Sequence, residues 1–301
     1  MKILFLTYIS RSGSTLLSNL LNQYDPILSC PEADILVKKL LYNPHDQIFN
    51  DKLFSNVIND QKFSCWNLTL NELEYLTNYY THIELFLKIL ELYKNKTKPD
   101  AKIILFKSVE LIDLVEVITN AIPALATFWF LSLIRDCRGI FLSQKSTLIN
   151  NRPMNDNPLI TAYQWDSFVK KSIALEEENL IKILKYEELV RHPNEKIDGL
   201  LKDVQLNEKL IKNNDNKEYF DRLSQEQKHI HPLIITPPDP SRIDRWKFEL
   251  NQTSTYLIES ITDKSLKRMG YVVYVRSGKI WYYLSKLYYK LLILLKISRY
   301  G

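Results

Sequence analysis

The chain has 301 residues, 46% of them apolar, and a net charge of +5. That is enough apolar material for one large domain or two ordinary ones. Three widely spaced cysteines (Cys30, Cys65, Cys137) form no CxxC pair, so neither a disulfide framework nor a cysteine zinc site is suggested, and a reducing cytoplasm is the simplest expectation. No charged n-region precedes a long apolar run at the N-terminus, so no signal peptide is expected. The charge is uneven. Residues 271–301 hold six basic side chains (Arg276, Lys279, Lys286, Lys290, Lys296, Arg299) and no acid. The remainder is near neutral, which argues against a broad nucleic-acid surface.

The first predicted element is a buried strand over Ile3–Thr7. A hydroxyl-rich turn follows, Tyr8-Ile9-Ser10-Arg11-Ser12-Gly13-Ser14-Thr15, and then a helix. Leu16, Leu17, Leu20 and Leu21 recur at helical spacing, with Ser18, Asn19 and Asn22 on the other side. Ser12 or Ser14 is the expected cap. A helix start offers unpaired N–H groups and the positive end of its dipole, which suits a phosphate. Arg11 adds a cation there, and Gly13 lets the backbone approach closely. The chain has only six glycines, where ~7% of residues is usual, so a glycine at this junction is informative. The loop is not a Walker A sequence, which needs a first glycine and a lysine before Ser14-Thr15.

Further strands are expected at Lys102–Phe106, Phe128–Ile134 and Ile181–Lys185. Helices are expected over Leu70–Tyr93, Asp136–Thr147, Ala162–Glu178 and Pro193–Val204. The uncharged stretch Val117–Ile134 is broken by Pro123 and reads as a helix end, a turn and a buried strand, not a membrane span. Residues 205–228 read as a polar surface segment, and the prolines at 232, 237, 238 and 240 mark an irregular loop. Strands alternating with helices predict an α/β fold with a parallel sheet flanked by helices. Arg135-Asp136-Cys137-Arg138-Gly139-Ile140-Phe141-Leu142-Ser143 follows the third strand. Arg135 then stands at a strand's C-terminal end, where open α/β sheets bind ligands. His229 and His231 form an HxH with no cysteine or acidic cluster to complete a metal set.

The strand, the RSGST loop and its leucine-rich helix resemble the 5′-phosphosulfate loop of the sulfotransferases, closest to carbohydrate 6-O-sulfotransferases and their bacterial relatives. RDCRGIFLS resembles the family's RDPRxxxxS, with Cys137 in place of proline. Arg135 and Ser143 have the family's eight-residue spacing for holding the donor's 3′-phosphate. Glu32 lies 21 residues after Arg11, as in the carbohydrate branch. Phe106-Lys107-Ser108-Val109 resembles that branch's KSVR, with Glu110 replacing the arginine. Lys185–Pro193 resembles its YEDLVxxP segment, and Arg245-Trp246 a late RW element.

The resemblance implies a P-loop nucleotide-kinase-like sheet over a sulfotransferase domain at residues 1–270, and sulfuryl transfer from 3′-phosphoadenosine 5′-phosphosulfate (PAPS) to a hydroxyl on a carbohydrate or glycolipid. It implies donor contacts from Arg11, Ser12, Gly13, Ser14, Thr15, Arg135, Ser143, Arg245 and Trp246, the last either against the nucleotide or in the core. Glu32 is the expected general base, with Asp34 as fallback. Arg11, assisted by Lys107, would stabilise the leaving oxygen, and no metal is required. Residues 271–301 form an expected basic amphipathic helix that either lies on an anionic membrane or docks on the body or a second subunit. A P-loop-type ATP-dependent kinase and a non-catalytic nucleotide-binding membrane adaptor are the competing classes.

Overall fold

Five parallel strands form the central sheet of the computed structural model, which describes residues 1–46, 51–74, 81–122, 126–206, 212–213, 215, 217–274 and 287. In chain order they are β1 (Lys2–Tyr8), β2 (Ile27–Ser29), β3 (Ile103–Lys107), β4 (Thr127–Ile134) and, after a small antiparallel hairpin of β5 (Leu148–Ile149) and β6 (Arg152–Pro153), β7 (Lys182–Lys185). Their order across the sheet is β2-β3-β1-β4-β7. Four of these strands follow from apolar runs in the sequence. β2 does not, because three residues are too few to show a period.

β1 is the middle strand and is buried on both faces, as a central parallel strand should be. Ile3 and Phe5 face one core, where Phe5 stacks on Phe130 at 5.0 Å and Phe86 meets Phe106 edge-on at 5.0 Å. Leu4, Leu6 and Tyr8 face the other, against Leu17 and Leu21. Truncating Phe5 to alanine removes the hub of this aromatic cluster, a change of ~3–5 kcal/mol.

Helices cover both faces. α1 (Ser14–Asn22) packs on one side with the helices Tyr186–Arg191 and Pro193–Asp203. α2 (His82–Thr97), α3 (Cys137–Ser146), α4 (Pro158–Glu177) and, past the short helix α5 (Gln225–Ile230), α6 (Gln252–Arg268) line the other. Local chemistry sets their ends. Thr81 and Glu84 form a reciprocal capping box for α2. Asn157 caps α4, with Pro158 in the first turn.

The predicted helical region Leu70–Tyr93 holds two helices, Leu70–Glu74 and most of α2, with residues 75–80 outside the described residues. Two expectations change. The polar stripe of α1 does not face solvent: Ser18, Asn19 and Asn22 are buried. Each has a partner, Asn19 donating to the Ile234 carbonyl at 2.7 Å and the Asn22 amide oxygen accepting from Ser29 N–H and Arg222. Nor is 205–228 only a surface segment, since Tyr219, Leu223 and Gln227 point inward at helical spacing. Most of the predicted tail helix lies outside the described residues. Residues 271–274 are not helical, and Tyr271 and Val273 pack on the body.

Candidate functional site

All five parallel strands end on the same side, and each delivers a polar residue there: Arg11 after β1, Glu32 after β2, Lys107 at the end of β3, Arg135 after β4 and Tyr186 after β7. The loop after β1 is shaped by its backbone. Ser12 N–H and Oγ both donate to the Ile9 carbonyl, at 3.0 and 2.6 Å. Arg11 (φ 78°) and Gly13 (φ 95°) take left-handed conformations, which glycine tolerates and arginine does not favour. Gly13 is the residue before the helix, so α1 begins without a side-chain cap. A Cβ at Gly13 would lie 2.4 Å from the Tyr186 ring, so only glycine fits under it.

In front of this loop lies a cavity of about 580 Å³. Arg11, Gly13, Ser14 and Thr15 line one wall; Arg135, Gly139 and Ser143 line another, with Arg242 and Arg245 at the edge. Arg11 Nε donates to Ser143 Oγ at 3.1 Å, which joins the two walls. Arg135 donates to the Arg11 carbonyl at 3.0 Å, and its guanidinium stacks on Tyr186 at 4.3 Å. Gly139 leaves room for that guanidinium, since a Cβ there would press on Arg135 Nε at 3.2 Å. Burial, and then the nearby Arg135 charge, lower the Arg11 guanidinium to about 10. The cavity is electropositive: Arg11, Arg135, Arg242 and Arg245 line it against one acid, Asp239.

Asp136 follows Arg135 but is occupied. It caps α3 through Arg138 N–H and holds the Arg138 side chain in an ion pair at 2.6 Å. α3 begins at Cys137, a first-turn position that proline also tolerates. Of the two places expected for Trp246, against the nucleotide or in the core, the structure gives the core: its ring packs 3.8 Å from the Arg138 guanidinium and does not line the cavity. Ser12 too turns its hydroxyl into the loop instead of the cavity. Arg245 reaches the rim, where Glu249 takes its guanidinium at 2.6 and 2.8 Å.

Behind Thr15 is a second cluster. Lys107 is fully buried and donates to Thr15 Oγ1 at 3.1 Å, while its charge meets Glu32 Oε1 at 3.2 Å. Glu32 Oε1 also accepts from Tyr8 at 2.6 Å; Oε2 accepts from Lys62 at 3.1 Å and from Gln227 Nε2 at 3.2 Å. Burial works against the charge on Glu32, but Lys107 and Lys62 overcome it and hold the carboxyl well below the usual range. Burial likewise works against the charge on Lys107, yet Tyr219 and Glu32 raise its pKa. Tyr8 is pushed far up by burial and then by Glu32, so it stays a hydrogen-bond donor. Lys62 also pairs with Asp34 at 2.8 Å, and Asp34 accepts from Ser108 at 2.6 Å.

The segment 227–231 touches both clusters. Gln227 meets Glu32, and one turn later the Ile230 carbonyl and His231 Nδ1 meet Arg11 NH1 at 3.0 and 3.2 Å. His231 Nε2 lies 3.3 Å from Thr15 Oγ1. Arginine only donates, so Nδ1 must accept and the ring's one proton sits on Nε2, donated to Thr15. Burial, then Arg11 and Lys107, hold His231 down to about 3, consistent with that neutral ring.

Lys62, Gln227 and His231 are therefore site residues that sequence reasoning missed. The signal for Gln227 was the inward spacing of Tyr219, Leu223 and Gln227. For Lys62 it was Asp60, whose carboxylate accepts from Lys62 and Phe63 N–H and starts a turn anchored by buried Phe63 and Trp66. Among the described residues no group of three or more histidine, cysteine or acidic side chains is placed to hold a metal ion. No helix of the described residues is long and apolar enough to cross a membrane.

No family model and no curated protein matches this sequence. Solved structures do match its fold. The sulfotransferase domain of the olefin synthase of Synechococcus PCC 7002 superposes with a TM-score of 0.61 at 15% identity, over 91% of this chain and 96% of that one. The sulfotransferase domain from the curacin biosynthetic pathway gives 0.52 at 17% identity, over 90% of this chain and 98% of that one. The chain has the sulfotransferase fold.

Proposed function

We propose that this protein transfers a sulfuryl group from PAPS to an acceptor hydroxyl on a carbohydrate or glycolipid. One observation carries the reading: Arg11, Thr15, Arg135 and Ser143 converge on one nucleotide-sized cavity at the head of α1, with Lys107 linking its floor to Glu32.

The donor set fits a nucleotide bearing two phosphate-type groups. Arg11, Thr15 and the first N–H groups of α1 would hold the 5′-phosphosulfate, and Arg135 and Ser143 the 3′-phosphate. The bound donor supplies an activated sulfuryl group; the chain's residues do the rest. Lys107 and Arg11 offset the charge that grows on the leaving oxygen. Glu32 takes the proton of the attacking hydroxyl. A carboxylate has about four acceptor sites, and Tyr8, Lys107, Lys62 and Gln227 fill them here. The base is thus released when negative charge at the loop draws Lys107 from Glu32 toward Thr15. Asp34, tied to Lys62 and Ser108, serves best as support for this arrangement.

The reading favours sulfuryl transfer over ATP-dependent phosphoryl transfer. The carboxylate after β4, Asp136, is consumed by Arg138 and is not free to hold magnesium. In a thermal-shift and calorimetric comparison, 3′,5′-bisphosphoadenosine should stabilise the protein without magnesium and with EDTA present. Stabilisation by ATP only with magnesium would turn the assignment to a kinase. The reading keeps a cytoplasmic setting, with the tail's six basic residues on anionic lipid. Removal of residues 276–301 should abolish binding to phosphatidylserine vesicles at low salt while leaving bisphosphate affinity unchanged.

A further inference from the structure

Gln227 carries a feature that positioning Glu32 does not explain. Its side chain is only 5% exposed, and Nε2 donates to Glu32 Oε2 at 3.2 Å. Its Oε1, however, is buried without a hydrogen-bond partner among the described residues. The amide cannot turn over to relieve this, because Oε1 would then face the Glu32 carboxylate, two acceptors against each other. A buried amide oxygen left without a donor costs about 1–3 kcal/mol, and such groups in native structures call for an explanation.

We propose that Gln227 is a specificity-determining residue that reads the acceptor: its Oε1 accepts a hydrogen bond from a second hydroxyl of the acceptor, one or two carbons from the hydroxyl that Glu32 deprotonates. This rests on the sulfotransferase reading above and narrows its acceptor to a 1,2- or 1,3-diol unit. On this proposal Glu32 Oε1 takes the reacting hydroxyl once Lys107 withdraws, Gln227 Nε2 stays on Oε2, and the unpartnered Oε1 of the same amide takes the second hydroxyl. A lone aliphatic alcohol leaves that oxygen unsatisfied in the closed complex; a diol satisfies it. A site with a buried acceptor discriminates strongly against ligands that lack the matching donor.

The test uses PAPS with three acceptors: hexane-1,2-diol, a methyl hexoside and hexan-1-ol. Wild type should show kcat/KM at least about tenfold higher for the two polyols than for the monohydric alcohol. Gln227→Met keeps the side chain's length and removes the amide. All three rates should then fall together through the lost contact to Glu32, and the polyol preference should collapse toward one. Gln227→Leu repeats the comparison, with bisphosphate affinity and thermal unfolding confirming an intact fold. A polyol preference unchanged in both variants overturns the proposal, as does a wild type that binds the bisphosphate yet sulfates neither polyol. A wild type that binds no bisphosphate instead defeats the sulfotransferase reading itself.

Discussion

The two halves of the site are built differently. On the proposed reading, the donor half is local. Arg11 to Thr15 are five consecutive residues on the shortest path from a central strand to a buried helix, and Arg135 to Ser143 repeat the plan one strand over. The base half is assembled from afar, with Tyr8, Glu32, Lys62, Lys107 and Gln227 arriving from five separate segments. A phosphate is recognised by backbone and fixed cations, which a short motif can encode. A proton acceptor must be tuned by its surroundings, and only the tertiary fold brings those surroundings together.

Mutations should separate the halves. The largest effect falls on the base: Glu32→Gln should lower turnover by roughly 100-fold or more while bisphosphate affinity, read by calorimetry, holds. An equal loss in both would show that Glu32 mainly supports the loop through Lys107, and would merge the two halves into one. Arg135→Ala should do the reverse, weakening bisphosphate binding by ~1–3 kcal/mol with kcat less affected at saturating donor. Ser143→Ala should follow it with a smaller loss, since Ser143 contributes one neutral hydroxyl.

Gly13→Ala probes the backbone of the donor half. It introduces a Cβ at φ 95° and 2.4 Å from the Tyr186 ring, and moving that ring disturbs Arg135, which stacks on it. The expected cost is ~1–3 kcal/mol of stability, with weakened bisphosphate binding, measured by denaturant unfolding and calorimetry.

A last effect concerns pH. His231 is held down to about 3 in the fold by burial and then by Arg11 and Lys107, against ~6.5 in an unfolded chain. Between those values the unfolded chain binds the extra proton, so stability falls as pH drops below ~6.5. Its own contribution to that slope should vanish in His231→Asn, seen as a flatter midpoint-against-pH curve from pH 6.5 to 4. An unchanged slope would assign the acid sensitivity to Glu32 and other carboxylates.

The same contrast explains what was legible in the sequence. β1, β3, β4 and β7 announced themselves as apolar runs, and the order of the two arginine motifs along the chain placed them on one sheet edge. β2 was too short to see, although it is what carries Glu32 into place. Ser18, Asn19 and Asn22 read only as the polar side of a helix, because helical periodicity separates polar from apolar but does not reveal a polar partner arriving from Ile234 or Arg222. Trp246 could be read either against the nucleotide or in the core, because the buried cation that Arg138 offers its ring comes from a distant segment. Gln227 and His231 sit in a charged, proline-flanked stretch, and their value lies wholly in contacts across more than 190 positions of chain.

The oxygen of Ile230 on Arg11 has a consequence for the rhythm of turnover. Arg11 never stands bare: a carbonyl and an imidazole occupy it before any anion arrives. On the proposed reading, loading the site is an exchange of partners, so the net gain per contact is modest. Emptying it runs the exchange backward. On that reading, residues 230 and 231 would refill Arg11 and Thr15 as the spent bisphosphate departs, leaving no naked cation to pull the product back. Product escape limits many well-evolved enzymes; here the protein carries its own understudy for the departing anion.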